Sequence, residues 1–192
     1  MKILLHQCCG PCSVYPVRVL KEQGHSIMGY WFNPNIHPVT EYYKRLETLR
    51  KFNDDESLKT IIDETYGLTE FTRSASFRED ARCRYCYQVR IENTAQIASR
   101  GKFDAFTTTL MYSRWQDHEL MKEFCELAAK KYKIIFHYED YRTGWQEGIE
   151  TSKKRGMYRQ QYCGCIYSEE ERYRQQLSKR FAEGKEIREF LK

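Results

Sequence analysis

At 192 residues the chain is long enough for one domain with a substantial core and short for two. Its 41% hydrophobic and 31% charged residues suit a globular protein; no stretch approaches the roughly 20 apolar residues of a bilayer span, and the apolar run Ile3 to Leu5 is too short for a signal-peptide core. A net charge of +5 admits a polyanionic partner such as RNA without requiring one.

Taken in order, the apolar run ending at Leu5 reads as a first strand. Cys8-Cys9-Gly10-Pro11-Cys12-Ser13 follows as a tight Gly-Pro turn and the first turn of a helix reaching about Gln23, with Val14, Val17 and Leu20 on one face. Ser26 to Phe32 reads as a second, buried strand, ending in the loop Asn33-Pro34-Asn35-Ile36-His37-Pro38. Thr40 is expected to cap the next helix, whose apolar stripe is Tyr42, Leu46, Leu49 and Phe52. Lys59 to Ile62 is a short strand, and residues 64–77 show no clear period. A helix from about Arg78 to Arg100 puts Cys83 and Cys86 on one face, and Gly101 ends it. Phe103 to Thr109 has strand composition, Asp117 caps a helix through Lys131, and Ile134 to His137 is a last strand. Gly144 to Arg155 is helical. Ser168 and Glu171 form a capping box for a terminal helix with the stripe Tyr173, Leu177, Phe181, Ile187 and Leu191, interrupted at Gly184.

Strands alternating with helices predict an α/β fold, a mainly parallel sheet with helices on both faces and a cysteine-rich metal site at its carboxyl edge. The chain reads as a single domain over 1–192, with an α/β core at 1–140 and a C-terminal segment at 141–192 that carries the last cysteine pair and a terminal helix. A cytoplasmic location is expected, and eight cysteines in a reducing compartment point to metal ligation rather than disulfides.

Seven of those cysteines fall in three tight groups: Cys8, Cys9 and Cys12, then Cys83-x-x-Cys86, then Cys163-x-Cys165. The first group, beside a helix N-terminus, gains thiolate character. Cys125, on an amphipathic helix, reads as a core residue. Structural zinc takes four ligands, so seven thiols are three too many for one site and one too few for two, unless Cys125 or a histidine joins. A four-iron cluster takes one thiolate per iron and leaves three thiols for a second metal or for redox work. The spacing favours iron–sulfur over zinc. His37, in a loop leaving the same sheet edge, is a proton donor or substrate contact, or else a surface turn. Trp31, Tyr112, Trp115 and Tyr158 lie next to loops and serve either the core or base stacking.

The stretches Leu4 to Ser13, Asn33 to Pro38, Cys83-Arg84-Tyr85-Cys86-Tyr87, Phe103 to Leu110 and Tyr158-Arg159-Gln160-Gln161-Tyr162-Cys163-Gly164-Cys165 together resemble the cobalamin-independent epoxyqueuosine reductases. The resemblance implies reduction of the epoxide of epoxyqueuosine to the alkene of queuosine at the wobble base of tRNA, the last step of queuosine biosynthesis. It implies a 4Fe-4S cluster with an adjacent mononuclear iron: Cys8, Cys9, Cys83, Cys86, Cys163 and Cys165 as cofactor ligands, and Cys12 with them as a metal ligand, since the family uses Cys or Asp there. Which thiols serve which centre stays open. The candidate proton donors are His37, Tyr158 and Asp104, which the sequence alone does not rank.

The implied fold is Rossmann-like, related to the nucleotide-binding ATP pyrophosphatases. Here the phosphate-cradling loop is replaced by Cys8 to Ser13 without paired glycines, so no ATP is expected. The implied partners are tRNA carrying epoxyqueuosine in its anticodon loop and an external electron donor, with no membrane. The alternative is a zinc-stabilised tRNA-binding protein without redox activity.

Overall fold

The computed structural model describes residues 1–182. Among these, β1 (Lys2–His6), β2 (Ser26–Trp31), β3 (Thr60–Ile62), β4 (Ala105–Thr108) and β5 (Ile135–Phe136) form one sheet in the order β3-β2-β1-β4-β5. Every pairing is parallel. Seven helices connect and cover it: α1 (Gly10–Glu22), α2 (Val39–Asp55), α3 (Leu68–Ala75), α4 (Arg82–Arg100), α5 (His118–Tyr132), α6 (Trp145–Lys154) and α7 (Ile166–Ala182). No helix among the described residues is long and apolar enough to cross a membrane.

β1 is the centre of the sheet, hydrogen-bonded to β2 on one side and β4 on the other. A strand buried on both faces reads as a continuous apolar run, and Ile3, Leu4 and Leu5 are all fully buried. Their side chains alternate between two cores. Ile3 and Leu5 pack with Val17 and Leu20 of α1 and Leu46 and Leu49 of α2, while Leu4 packs with Phe106, Ile91 of α4 and Met121 of α5. Helices therefore cover both faces.

The chain winds outward from β1 through β2 and β3, then returns to place β4 and β5 on the other side. At such a reversal the connections leaving neighbouring carboxyl ends diverge and leave a crevice. Here it opens between the ends of β1 and β4, where Cys8 and Thr109 lie.

Several local expectations change. Gly10 and Pro11 do not form a separate turn but begin α1, because proline's missing N–H is unneeded in a first helical turn. Pro38, not Thr40, holds the N-cap position of α2, and no side chain caps that helix. Residues 64–77 contain α3, whose buried residues are Phe71 and Ala75, too few to reveal a period. The expected helix from Arg78 becomes a short turn at Glu79–Ala81 followed by α4.

Ser168 and Glu171 make no capping box, since α7 already begins at Ile166. The Ser168 hydroxyl donates to the Cys165 carbonyl at 2.7 Å and accepts the Gly164 N–H at 3.1 Å, and Glu171 pairs with Arg82. The side chain of Phe181, with Gly184, Ile187 and Leu191, lies outside the described residues.

Candidate metal centre

Cys9 ends the link after β1 and caps α1. Its sulfur accepts the Cys12 N–H at 3.4 Å, taking the place usually filled by a serine or aspartate oxygen. Cys12 sits one turn on. Pro16 has no N–H to return to the Cys12 carbonyl four residues back. Gly10 permits this close junction, because a Cβ there would stand 2.8 Å from Met157 Cε and 3.0 Å from the Thr48 carbonyl.

The sulfurs of Cys8, Cys9 and Cys12 all lie within 4.8 Å of one another, the donor set and spacing of a metal site. Thr109, just past β4, holds the outer corner: it accepts the Cys8 N–H at 3.0 Å and donates its hydroxyl to Cys8 Sγ at 3.3 Å. Hydrogen bonds from Cys12, then Cys9 and Thr109, hold the Cys8 thiol well below its ordinary pKa. Burial pushes Cys9 up, and the bond it gives to Cys8 pushes Cys12 up. The triangle thus stabilises one thiolate with two thiol protons.

The other four clustered cysteines form a second group. Cys86 and Cys165 are buried together against Phe71 and Ala75 of α3, while Cys83 and Cys163 are exposed. Burial pushes Cys86 up to about 12, with Cys163, Cys165 and Cys83 adding in the same direction and Arg90 opposing. These four thiols therefore share one neighbourhood.

The tail from Tyr158 to Cys165 links the two groups. Gln160 Nε2 donates to Cys9 Sγ at 3.3 Å and Cys12 Sγ at 3.4 Å. Arg45 of α2 donates to the carbonyls of Cys163 and Tyr162 at 2.9 and 3.0 Å. The Tyr162 hydroxyl donates to the His37 carbonyl at 2.6 Å, and the His37 N–H to the Gly164 carbonyl at 2.8 Å. Gly164 has φ +144° with Arg45 Nη1 3.1 Å from where a Cβ would be, so only glycine lets the tail turn there.

Two buried arginines accompany the thiols. Arg45 is 2% exposed and salt-bridged to Glu41 at 2.6 Å. Arg90, 3% exposed, has no carboxylate within 4.0 Å among the described residues. It donates to the Cys86 carbonyl at 3.1 Å and Cys86 Sγ at 3.0 Å, and its charge also acts on Cys163 and Cys8. A buried guanidinium is costly unless an anion accompanies it, and here the groups around it are the sulfurs of Cys86, Cys163 and Cys8. Neither arginine belongs to one of the cysteine motifs. The usable signal was spacing: Cys86 and Arg90, like Glu41 and Arg45, stand four apart and so share a helix face.

A cavity of about 570 Å³ opens onto both groups, lined by Cys8, Cys12, Cys163, Arg90 and Gln160 among others. Of the expected proton donors, none lines it. His37 is fully buried; its Nε2 faces the Pro34 carbonyl at 3.1 Å, its ring packs on Tyr66 and Phe71, and burial lowers its pKa to about 4. Asp104 precedes β4, at the amino edge of the sheet and opposite the cysteines, where it accepts the Lys2 N–H at 2.6 Å. Tyr158 is nearer the thiols, its hydroxyl bonded to Glu41. Cys125 is fully buried in the core beneath α5, apart from the other seven.

A family model described as "Epoxyqueuosine reductase QueH" matches residues 3–171. Curated relatives bearing that same name include one from Dehalococcoides mccartyi, 37% identical over 90% of this chain and 94% of its own length. Others come from Histophilus somni, 36% identical over 87% of this chain and 72% of the relative, and Acinetobacter baylyi, 34% identical over 87% and 80%. Among solved structures, a deacetylase–bog complex from the biosynthesis pathway of teicoplanin aligns with a TM-score of 0.46 and 11% identity, covering 71% of this chain and 65% of that one. That likeness is too loose to define the fold.

Proposed function

The chain belongs to the epoxyqueuosine reductase QueH family, and we propose that its seven clustered thiols hold an iron–sulfur cluster and an adjacent iron that together serve the family's reaction. The protein is an oxidoreductase of tRNA modification that reduces epoxyqueuosine to queuosine. The balance is simple: the epoxide, two electrons and two protons give the alkene and one water.

The observation that carries the metal reading is the triangle of three sulfurs within 4.8 Å of one another, with Cys86 and Cys165 buried together in a second group. We assign Cys83, Cys86, Cys163 and Cys165 to a 4Fe-4S cluster, one thiolate per iron. Cys8, Cys9 and Cys12 are assigned to the mononuclear iron, with Cys8 and Cys9 facing the boundary between the two. When bound, the cluster would relay electrons singly and the iron would polarise the epoxide oxygen as a Lewis acid.

The remaining roles belong to the chain. Arg90 supplies a buried positive charge and an N–H to the Cys86 sulfur, which suits an anionic sulfur-rich group. Gln160 aims its amide N–H at Cys9 and Cys12 and so orients two corners of the triangle. Tyr158, which does not line the cavity, braces the tail from outside it. Its hydroxyl bonds Glu41, which binds Arg45, which in turn holds the carbonyls beside Cys163. Burial first, and then Glu41, raise its pKa, so it keeps its proton at neutral pH. His37 acts through its backbone as a brace for the tail, and Asp104 ties β4 to β1.

The bound cluster would draw its electrons from an external one-electron donor, and the reading includes no ATP. The protein works in the cytoplasm, where its thiols stay reduced. No observation favours the alternative of a zinc-stabilised tRNA binder without redox activity.

The test is direct. Anaerobically purified protein is incubated with tRNA carrying epoxyqueuosine and a chemical one-electron reductant, and the RNA is digested to nucleosides for mass spectrometry. Queuosine, lighter by one oxygen, is the expected product. Unaltered epoxyqueuosine with iron-replete protein would refute the reading.

A further inference from the structure

Folded chains rarely leave a large aromatic ring wholly in water beside a cavity. Trp115 is 85% exposed and lines the cavity shared by Cys8, Cys12 and Cys163. It lies on the loop of residues 113–117, which precedes α5 and is pinned on both sides. The Trp115 N–H bonds Ser113 Oγ at 3.2 Å, Gln116 Nε2 bonds Cys163 Sγ at 3.3 Å, and the Asp117 N–H bonds the Tyr87 hydroxyl at 3.2 Å. The loop is thus fixed at the cavity mouth, and among the described residues no other ring or cation stacks on the indole.

The other aromatics near the site are occupied. Trp31 is fully buried and bonded to Tyr42, the Tyr112 hydroxyl holds the Trp145 carbonyl, and Tyr158 is tied to Glu41.

The charge around the mouth is one-sided. Four arginines line the cavity, Arg45, Arg90, Arg159 and Arg172, against one carboxylate, Glu171, which is taken by Arg82, while Arg45 is itself paired with Glu41. Arg159, Arg172 and the neighbouring exposed Arg114 have no carboxylate within 4.0 Å among the described residues. Arg114 lies over the Trp145 ring at 5.8 Å, and an unstacked ring flanked by cations without carboxylate partners matches what single-stranded nucleic acid offers, bases with open faces between phosphates.

We propose that Trp115 stacks on an unpaired base of the anticodon loop next to the base being reduced, while Arg114, Arg159 and Arg172 bind the loop's phosphates. This rests on the reductase reading and adds its RNA-docking surface. The thiols line the cavity that must receive the epoxide, so an exposed ring at the mouth meets the part of the loop that stays outside.

The experiment uses anaerobically purified, iron-replete protein and a labelled anticodon stem-loop RNA with unmodified guanine at the wobble position. Dissociation constants are measured for wild type, W115A, W115F and the double variant R159A/R172A over a range of salt. Stacking is worth roughly 1–3 kcal/mol per base, so W115A is expected to bind about 5- to 150-fold more weakly, and W115F to recover most of that loss. With epoxyqueuosine-containing tRNA the W115A defect falls on KM rather than kcat, at unchanged iron per chain. The double variant lowers the slope of log Kd against log salt by about 0.7 for each phosphate it no longer neutralises.

W115A binding as tightly as wild type, or a loss confined to kcat, would overturn the proposal while leaving the reductase reading intact. Trp115-dependent binding by a wild-type protein that fails to reduce epoxyqueuosine would instead sink the reductase reading and leave the RNA surface standing. Should W115A lose iron, the salt slope of R159A/R172A, on a different segment, decides: an unchanged slope overturns the proposal.

Discussion

Cys8, Cys9 and Cys12 are brought together by one strand–helix junction, whereas Cys83 and Cys86 ride on α4 and must meet Cys163 and Cys165 from a tail much later in the chain. The first group is set by local backbone: the central strand, a sulfur cap and the first turn of α1. Its sulfurs lie within 4.8 Å of one another. The second group closes a long loop, which carries a larger chain-entropy cost, and two of its four thiols stay exposed. Its supports are polar straps from α2 and the Asn33 to Pro38 loop, and a small apolar contact with α3. On the proposed assignment, a group of that kind would depend more on a bound metal for final assembly.

The largest effect follows from breaking the long-range group. Cys86→Ala is expected to remove acid-labile sulfide and the cluster absorbance, and to reduce turnover on epoxyqueuosine-containing tRNA by more than about 100-fold. Sulfide retained at the wild-type level would place Cys86 outside the cluster.

Breaking the local group should cost one metal only. Cys12→Ala is expected to keep the cluster absorbance and sulfide while losing about one iron per chain and, with it, turnover. Cys12→Asp keeps that iron and measurable epoxide reduction, because a lone iron accepts a carboxylate oxygen where a cluster iron prefers thiolate. Full iron and full turnover in Cys12→Ala would reduce Cys12 to a helix-start residue.

Iron removal sharpens the contrast without any substitution. After chelation, amide exchange in residues 158–167 is expected to quicken by about tenfold or more, equivalent to roughly 1.4 kcal/mol of lost protection, while residues 2–6 of β1 stay protected. Equal loosening of both segments would mean that the triangle is not preorganised.

Arg90→Met probes the buried cation that serves the second group. Removing a positive charge and an N–H from the Cys86 sulfur makes an added electron less welcome, so the cluster potential should fall by on the order of tens of millivolts. Stability should fall as well, because the buried sulfur charge loses its partner. The smallest effect belongs to Cys125→Ala: iron and turnover unchanged, with a core penalty of about 1 kcal/mol in a denaturant titration. Loss of iron there would show that the ligand set is wrong.

The fold was legible where a period or a stop signal was strong. Leu4 between Ile3 and Leu5 marks a central strand, the stripe Tyr42, Leu46, Leu49 and Phe52 is the buried face of α2, and Asp117 caps α5 through a bond from the Leu120 N–H. α3 leaves no such mark, because two buried residues in eight make no pattern. The apparent capping box at Ser168 failed because the hydroxyl had a nearer use, closing the turn at Gly164 and Cys165.

At the site, the thiols announced themselves, but their division into three and four depended on tertiary placement. Asp104 carries a signal that its position alone makes readable: a residue that begins a parallel strand stands at the edge opposite one that follows a strand. The Asn33 to Pro38 loop does reach the cysteine tail, yet His37 contributes its backbone there and keeps its ring in the core. Arg45 and Arg90 were hidden among many helix arginines, and only burial distinguishes them.

Iron and acid-labile sulfide per chain in anaerobically purified protein, with zinc determined on the same sample, test the division of the thiols most directly. A four-thiol cluster beside a three-thiol iron site requires about five irons and four sulfides per chain and no stoichiometric zinc. Zinc without sulfide would contradict the whole assignment, and four irons with four sulfides would contradict the separate iron at Cys8, Cys9 and Cys12.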